Sequence, residues 1–454
     1  MSGLFGLSDQ AKLSLLARVA ARKPAPTPAP SAAAGAQSDA PQLGHAAVRA
    51  ELDLVRRAAD TLGLPSPYFR AHAGVAGATS RIGNQDYDNF ASYNYLGLNG
   101  DSRVSEAAKQ AIDQYGTSVS ASRVVSGERP LHRALEAELA EVYEAEDCVT
   151  MVSGHATNVT VIGHLVDKDD VILHDSLSHN SLVQGALMSG ARRIVFPHND
   201  LDELERLLAA ARPRAKRALI LVEGHYSMDG DVPDLARLVD IKRRYRASLM
   251  VDEAHSLGCV GPRGHGIAEH SGVPCGDVDV WMGTLSKTLC SSGGYVAGPR
   301  TLIEYLRCSA PGFVYSVGLS PPVAAAALAA LRLMRAEPWR VARLQANGCC
   351  FLDACRDAGL DTGPSVGFAI VPVMVGSSIR AVKLAQILFD AGVNVQPIIY
   401  PAVPEQGARL RFFISTLHEA GPLRRVAEAT AEGMRAVAHE KLDLAKLAGA
   451  MLRR

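Results

Sequence analysis

The sequence predicts an α/β protein with a smaller α+β domain towards its C-terminal end, and three observations lead there. From about residue 100 to 300, helix-length segments alternate with short, largely apolar runs. Polar or acidic residues follow those runs directly, at the strand ends where open α/β sheets place their ligands. After Ser320-Pro321-Pro322 a long Ala/Leu/Arg helix gives way to extended stretches at Gly367–Val375 and Leu410–Ser415, then to further helix.

In chain order, Leu4, Leu7, Ala11 and Leu15 fall at helical spacing and predict a short amphipathic helix. The Pro/Ala tract Lys23–Gly35 that follows has too little apolar area to offset the entropy of ordering it. Residues 1–45 are therefore expected to be a helix and flexible linker, 46–99 an N-terminal arm, 100–320 the large domain and 321–454 the small one. The apolar runs are Cys148–Val152, Val171–Leu173, Arg193–Phe196, Ala218–Val222, Ser248–Val251 and Val278–Met282. Runs of that length between helical segments signal βαβ units and a mostly parallel sheet covered on both faces.

Composition narrows the function. The 454 residues carry 47 basic and 47 acidic side chains, so no global excess of charge favours nucleic acid; only Lys446–Arg454 is locally basic. The longest apolar stretch, Pro321–Leu331, is far short of the roughly 18 residues a bilayer span needs. Eight cysteines without a CxxC pair or a His-rich partner read as reduced thiols, with no metal site, in a cytoplasmic protein. The N-terminus lacks the pattern of a secretion signal.

The chemistry gathers at two strand ends. Asp252 closes an apolar run in Leu249-Met250-Val251-Asp252-Glu253-Ala254-His255. A magnesium-dependent nucleotidase would also need a GxxxxGK[ST] phosphate loop upstream, and none is present. In Gly283-Thr284-Leu285-Ser286-Lys287, a lysine sits within one turn of another strand end. Burial there destabilises the ammonium and frees an amine for Schiff-base formation. A carboxylate on a neighbouring strand end suits pyridoxal phosphate (PLP), whose pyridine nitrogen must stay protonated to act as an electron sink. Strand Cys148–Val152 leads into Ser153-Gly154-His155-Ala156-Thr157-Asn158, where Gly154 and His155 at a helix start offer amides to a phosphate. In Arg409-Leu410-Arg411-Phe412-Phe413 two arginines share one strand face, and a planar guanidinium fork suits a carboxylate.

With Ser92-Tyr93-Asn94-Tyr95-Leu96-Gly97, Ser178-His179-Asn180-Ser181, Glu223–Gly230 and Val251–Gly258, these strings resemble the α-oxoamine synthases over roughly residues 60–440. That family includes serine palmitoyltransferase, 8-amino-7-oxononanoate synthase, 5-aminolevulinate synthase and glycine C-acetyltransferase. The resemblance implies a fold-type I PLP-dependent transferase: a large domain with a mostly parallel seven-stranded sheet, a smaller C-terminal domain, and a homodimer with shared sites. It implies that Lys287 holds the cofactor and abstracts the α-proton of the amino acid. Asp252 then pairs with the pyridine nitrogen, His255 and Ser227 flank the phenolate oxygen, and His179 stacks on the ring. Gly154, His155 and Thr284 are expected at the phosphate, joined by Ser316, because Val317 stands where the family carries a phosphate-binding threonine from the neighbouring subunit. Arg411 is expected at the amino-acid carboxylate, preferred over Arg409, with Tyr93 and Asn94 on the substrate side.

The implied reaction is decarboxylative condensation of a small amino acid with an acyl thioester, giving an α-amino ketone. Ser92-Tyr93-Asn94-Tyr95 resembles the serine palmitoyltransferase pattern, and Ser126–His132 and Pro311–Ser316 resemble modules that end polyketide assembly lines. Ile399 departs from the bacterial serine palmitoyltransferases, and Tyr400–Pro404 is closer to glycine C-acetyltransferase. The expectation is serine, alanine or glycine with a long or polyketide-type acyl group on coenzyme A or a carrier protein. 8-Amino-7-oxononanoate synthesis is an alternative, and a plain aminotransferase is the rival from another class.

Overall fold

The computed structural model describes residues 63–439. The expected N-terminal helix and linker and the basic stretch Lys446–Arg454 lie outside the described residues. Among the described residues there are fourteen strands: β1 (His72–Ala73), β2 (Thr79–Ile82), β3 (Gln85–Asn89), β4 (Asp147–Met151), β5 (Val171–Asp175), β6 (Arg192–Phe196), β7 (Ala218–Glu223), β8 (Ser248–Asp252), β9 (Val280–Thr284), β10 (Gly294–Gly298), β11 (Ile370–Met374), β12 (Val393–Asn394), β13 (Gln396–Ile398) and β14 (Arg409–Phe413).

The large domain is a seven-stranded sheet in the order β4-β10-β9-β8-β7-β5-β6. Only β10 runs antiparallel to its neighbours. The strand interiors are largely apolar because both faces are covered, and successive side chains go to opposite cores, whereas the edge strand β6 opens on exposed Arg192 and Arg193. Cys148, Leu173, Ile220, Val222, Leu249, Val251 and Trp281 enter one buried cluster. Val149, Ile172, Leu219, Leu221, Met250, Val280 and Met282 enter the other, beneath the helices Gly154–Leu165 and Asn180–Ser189. Among the described residues no helix is long and apolar enough to cross a membrane. The eight cysteines are unpaired.

Two strands depart from expectation. The strand placed at Val278–Met282 lies at Val280–Thr284, because Cys275–Asp277 forms a short helical turn and pairing with β8 begins only after it. Thr284 thereby becomes the last residue of the strand. Gly294–Gly298 forms a strand that the apolar pattern does not reveal: only Tyr295, Val296 and Ala297 separate its glycines.

The smaller domain pairs β11-β14-β13 in an antiparallel sheet. The helices Trp339–Asp357, Ser378–Asp390 and Ala420–His439 supply Phe351, Leu352, Leu384, Leu388, Leu423 and Val426 to a core shared with Val371, Val373, Leu410 and Phe412. The short strand β12 joins a different sheet: it pairs in parallel with β3, tying residues 79–89 to the C-terminal region.

Candidate active site

The carboxyl ends of β7, β8 and β9 and the starts of two helices converge on a cavity of about 270 Å³. Its wall includes Gly154, His155, His179, Asp252, His255, Thr284 and Lys287, so seven residues singled out in the sequence meet in one place. Lys287 follows β9 by three residues and is partly buried. Desolvation lowers its amine pKa to about 8 against the opposing pull of Asp252 and Glu223. Asp252 ends β8; its Oδ1 accepts from the Ala254 N–H at 2.9 Å and its Oδ2 from Asn158 Nδ2 at 2.7 Å. Two donors fix the orientation of that carboxylate beside Lys287.

His179 caps the helix Asn180–Ser189. Its backbone N–H donates to Glu223 Oε1 at 2.5 Å, and its Nδ1 lies 2.7 Å from Ser181 Oγ and accepts from the Ser181 N–H at 3.3 Å. That contact places the proton of the neutral imidazole on Nε2. Burial, with Lys287 and His155 adding to it, lowers the His179 pKa and keeps the ring neutral. His255 is completely buried, its pKa far below the usual value for the same first reason, and its Nδ1 is 2.8 Å from Tyr95 Oη.

The phosphate end is built by β4 and the helix Gly154–Leu165, which Ser153 caps through Oγ to the Ala156 N–H at 3.3 Å. The first amides of a helix have no partner within it, so those of Gly154 and His155 are available to an anion. Thr284 Oγ1 stands beside them, bonded to Gly293 O at 3.0 Å and Ser286 Oγ at 2.7 Å. A methyl group on Gly154 would come within 2.7 Å of that hydroxyl, so the cradle has room only for glycine.

Lys287 also borders a second chamber of about 350 Å³, lined by His72, Tyr93, Asn94, Ser286 and Cys290 among others. Its Nζ lies 5.7 Å from the centre of the Tyr93 ring. The two arginines of β14 are used differently. Arg409 bonds to Gly407 O, Met228 O and the Asp229 carboxylate. Arg411 gives Nη1 to Ser227 O at 2.9 Å, its Nε has no partner, and among the described residues no carboxylate pairs with it.

Of the expected substrate residues, Tyr93 and Asn94 border the second chamber and Arg411 lines neither, and two expected cofactor positions also fall outside the first cavity's wall. Ser227 is buried in the loop that follows β7, and what it presents to Arg411 is its carbonyl. Ser316 lies on the turn after Val314, its hydroxyl bonding to Val317 O at 3.3 Å. A single protomer does not bring it to the phosphate end. Conversely, the wall contains residues to which the sequence reading assigned no role. Asn158 fixes Asp252 and leaves its Oδ1 without a partner, and Glu223, raised by burial and then by Asp252 to about 8, anchors the His179 backbone. Glu223 ends an apolar strand just as Asp252 does, and that shared position was the available signal.

The chain belongs to the Aminotransferase class I and II family, whose profile matches residues 85–429, and within that PLP-dependent class it is an α-oxoamine synthase, an acyltransferase. It is 41% identical over 365 residues to 8-amino-7-oxononanoate synthase of Geobacter sulfurreducens, covering 80% of this chain and 93% of that one. It is 34% identical over 371 residues to serine palmitoyltransferase of Bacteroides ovatus, covering 82% of this chain and 93% of the relative. The solved serine palmitoyltransferase of Sphingomonas wittichii superposes with a TM-score of 0.81 at 30% identity, over 86% of this chain and 97% of that one.

The residues present suit PLP. An amine of lowered pKa, a doubly hydrogen-bonded carboxylate, a neutral imidazole held at a helix cap, and a helix start with a glycine and a neighbouring hydroxyl lie in one cavity and would suit its aldehyde, nitrogen, ring and phosphate.

Proposed function

We propose that this enzyme condenses serine, alanine or glycine, serine foremost, with a long-chain or polyketide-type acyl thioester, on coenzyme A or a carrier protein. The observation that carries the reading is Lys287 standing in the common wall of two chambers, one with the PLP-type contacts and one bordered by Tyr93 and Asn94. Bound PLP supplies the electron sink that makes loss of the α-proton feasible. The net reaction joins the acyl carbon to the α-carbon and releases carbon dioxide and the free thiol.

Each residue has a defined task in that scheme. Asp252 keeps the proton on the ring nitrogen, with Asn158 orienting the carboxylate. His179 restrains the ring face, and His255, aligned by Tyr95, lies towards the phenolate side. The Gly154 and His155 amides and Thr284 bind phosphate. Arg411 takes the substrate carboxylate with the guanidinium edge that has no protein partner. Lys287 Nζ removes the α-proton, because burial makes the amine a weaker base than free lysine and so able to exchange protons near neutral pH. Exposed Val124, Val125 and Tyr315 support a homodimer in which the partner's Ser316 turn completes the phosphate site. The segment 1–45 would dock a carrier protein.

A second reading is 8-amino-7-oxononanoate synthesis, favoured by relatives such as the Geobacter protein at 41% identity against 34% for serine palmitoyltransferase. That product's name describes an alanine-derived end joined to an acyl chain ending in a carboxylate. The test is a panel of serine, alanine and glycine with palmitoyl, pimeloyl and carrier-bound acyl thioesters, scored by labelled carbon dioxide release and mass spectrometry of the ketone. Serine with a long uncharged chain supports the proposal, and alanine with a chain ending in carboxylate supports the second reading. Release of a keto acid without carbon dioxide means an aminotransferase.

A further inference from the structure

A charged cluster centred on His198 lines neither chamber. His198 follows β6 in the segment Pro197-His198-Asn199. Its Nδ1 is 2.9 Å from Asp175 Oδ1 and its Nε2 is 2.9 Å from Asp231 Oδ2. With both ring nitrogens facing carboxylate oxygens, each must carry a proton, so the ring is an imidazolium. Asn199 doubles both links: its backbone N–H donates to Asp175 Oδ2 at 2.8 Å and its side-chain amide to Asp231 Oδ2 at 2.7 Å. The Tyr226 ring packs edge-on against the imidazole, centroids 4.5 Å apart, and the His198 side chain stays 18% exposed.

The two carboxylates belong to the two loops that carry cofactor-side residues. Asp175 ends β5; its Oδ1 accepts from the Leu177 N–H at 2.7 Å and its carbonyl from the Ser178 N–H at 3.1 Å, which fixes the turn delivering His179. Asp231 closes the loop after β7: its carbonyl accepts from the Tyr226 N–H at 3.0 Å, and Tyr226 O accepts from the Gly230 N–H at 2.9 Å, folding the turn that holds Ser227. The partner of Arg411 is that same Ser227 carbonyl.

We infer that His198 is a positioning residue, a charged staple that sets the His179 turn and the Ser227 turn in register and thereby fixes the seat of the PLP ring. Burial opposes the charge, but the hydrogen bonds to Asp175 and Asp231 outweigh it and raise the ring's pKa to about 10, so the staple stays charged through the neutral range. The groups facing it are Asp175, Asp231 and Tyr226. The inference rests on the PLP contacts proposed above, yet it concerns the seat of the ring and not the choice of substrates.

The test compares His198→Gln, His198→Lys and Asp231→Asn by visible circular dichroism of bound PLP, by PLP dissociation and by steady-state kinetics. A folded His198→Gln protein is expected to lose at least half of the visible dichroism, bind PLP about tenfold more weakly and lose about tenfold in kcat, with KM for the amino acid within about twofold. His198→Lys, which keeps a cation between the carboxylates, should recover most of the dichroism. Asp231→Asn, of equal volume, should change the dichroism in the same direction even if the histidine variants do not fold. Wild-type dichroism and PLP affinity in His198→Gln or Asp231→Asn overturn the inference, as does a melting shift with no spectroscopic change. Failure of the wild type to turn over any thioester would overturn the proposed function and leave these dichroism comparisons standing.

Discussion

Replacing Gly154 by alanine tests the phosphate cradle with a single methyl group. The backbone amide is retained, so the direct loss is steric: the new carbon would sit 2.7 Å from Thr284 Oγ1 and 3.0 Å from its Cβ. Both distances are below ordinary contact. Thr284 ends a buried strand and cannot retreat far, because its hydroxyl is bonded to Gly293 O at 3.0 Å and Gly293 is held by neighbouring backbone. The hydroxyl is therefore turned away from the anion. A hydrogen bond to a charged group contributes about 1.5–3 kcal/mol, so PLP binding should weaken by about 10- to 150-fold. The assay is equilibrium PLP binding by visible absorbance for wild type, Gly154→Ala, Thr284→Ala and the double variant. Because the glycine change acts through the hydroxyl, it should cost much less once the hydroxyl is gone, and the cycle should show strong coupling. Wild-type affinity in Gly154→Ala, or strictly additive losses, would refute the assignment of Thr284 to the phosphate.

Other outcomes follow from the same geometry. Lys287→Ala should abolish both the visible absorbance of bound PLP and turnover, and a surviving band after borohydride treatment of the wild type would exclude the lysine linkage. Since the Lys287 amine titrates at about 8, PLP capture by apoprotein in stopped flow should rise with pH and level off just above that value, well short of the range of free lysine. Arg411→Lys keeps the charge but loses the planar fork, so KM for the amino acid should rise about tenfold or more with a smaller change in kcat; the same change at Arg409 should chiefly lower the melting temperature, since Arg409 is engaged with Asp229. The stabilisation from His198 has a defined pH window. Its folded pKa of about 10 exceeds the unfolded value of 6.5, so the contribution is complete below about 6.5, declines as pH rises and is gone above about 10. Denaturant midpoints of wild type and His198→Gln should converge over that interval.

Much of this was readable because buried parallel strands advertise themselves. Val171–Leu173, Ala218–Val222 and Leu249–Val251 are apolar at every position, and Glu223 and Asp252, which end the last two strands, line the cavity. β10 was hidden because its residues are small or flanked by glycine, and its pairing depends on two strands distant in sequence. Asn158 gave no signal of its own: on a helix, an asparagine facing a carboxylate 94 residues away is indistinguishable from one facing solvent. The same holds for His198, whose two partners lie 23 and 33 residues away on separate loops. Ser316 marks the opposite limit, a residue whose proposed contact belongs to an assembly and not to one chain.

The pairing of β12 with β3 has a mechanical consequence. Beyond β3, the Phe90 N–H donates to Asn394 O at 2.8 Å, the Phe413 N–H to Phe90 O at 2.9 Å and the Thr416 N–H to Tyr95 O at 2.8 Å. The segment bearing Tyr93 and Asn94 is thus riveted to the strand bearing Arg411, although more than 300 residues separate them in sequence. If Arg411 and Tyr93 have the roles proposed above, the carboxylate grip and the lip of the second chamber move as one unit. On that proposal, a shift of this unit would change the fit of both substrates together, so a change of acyl chain would tend to carry the amino-acid preference with it.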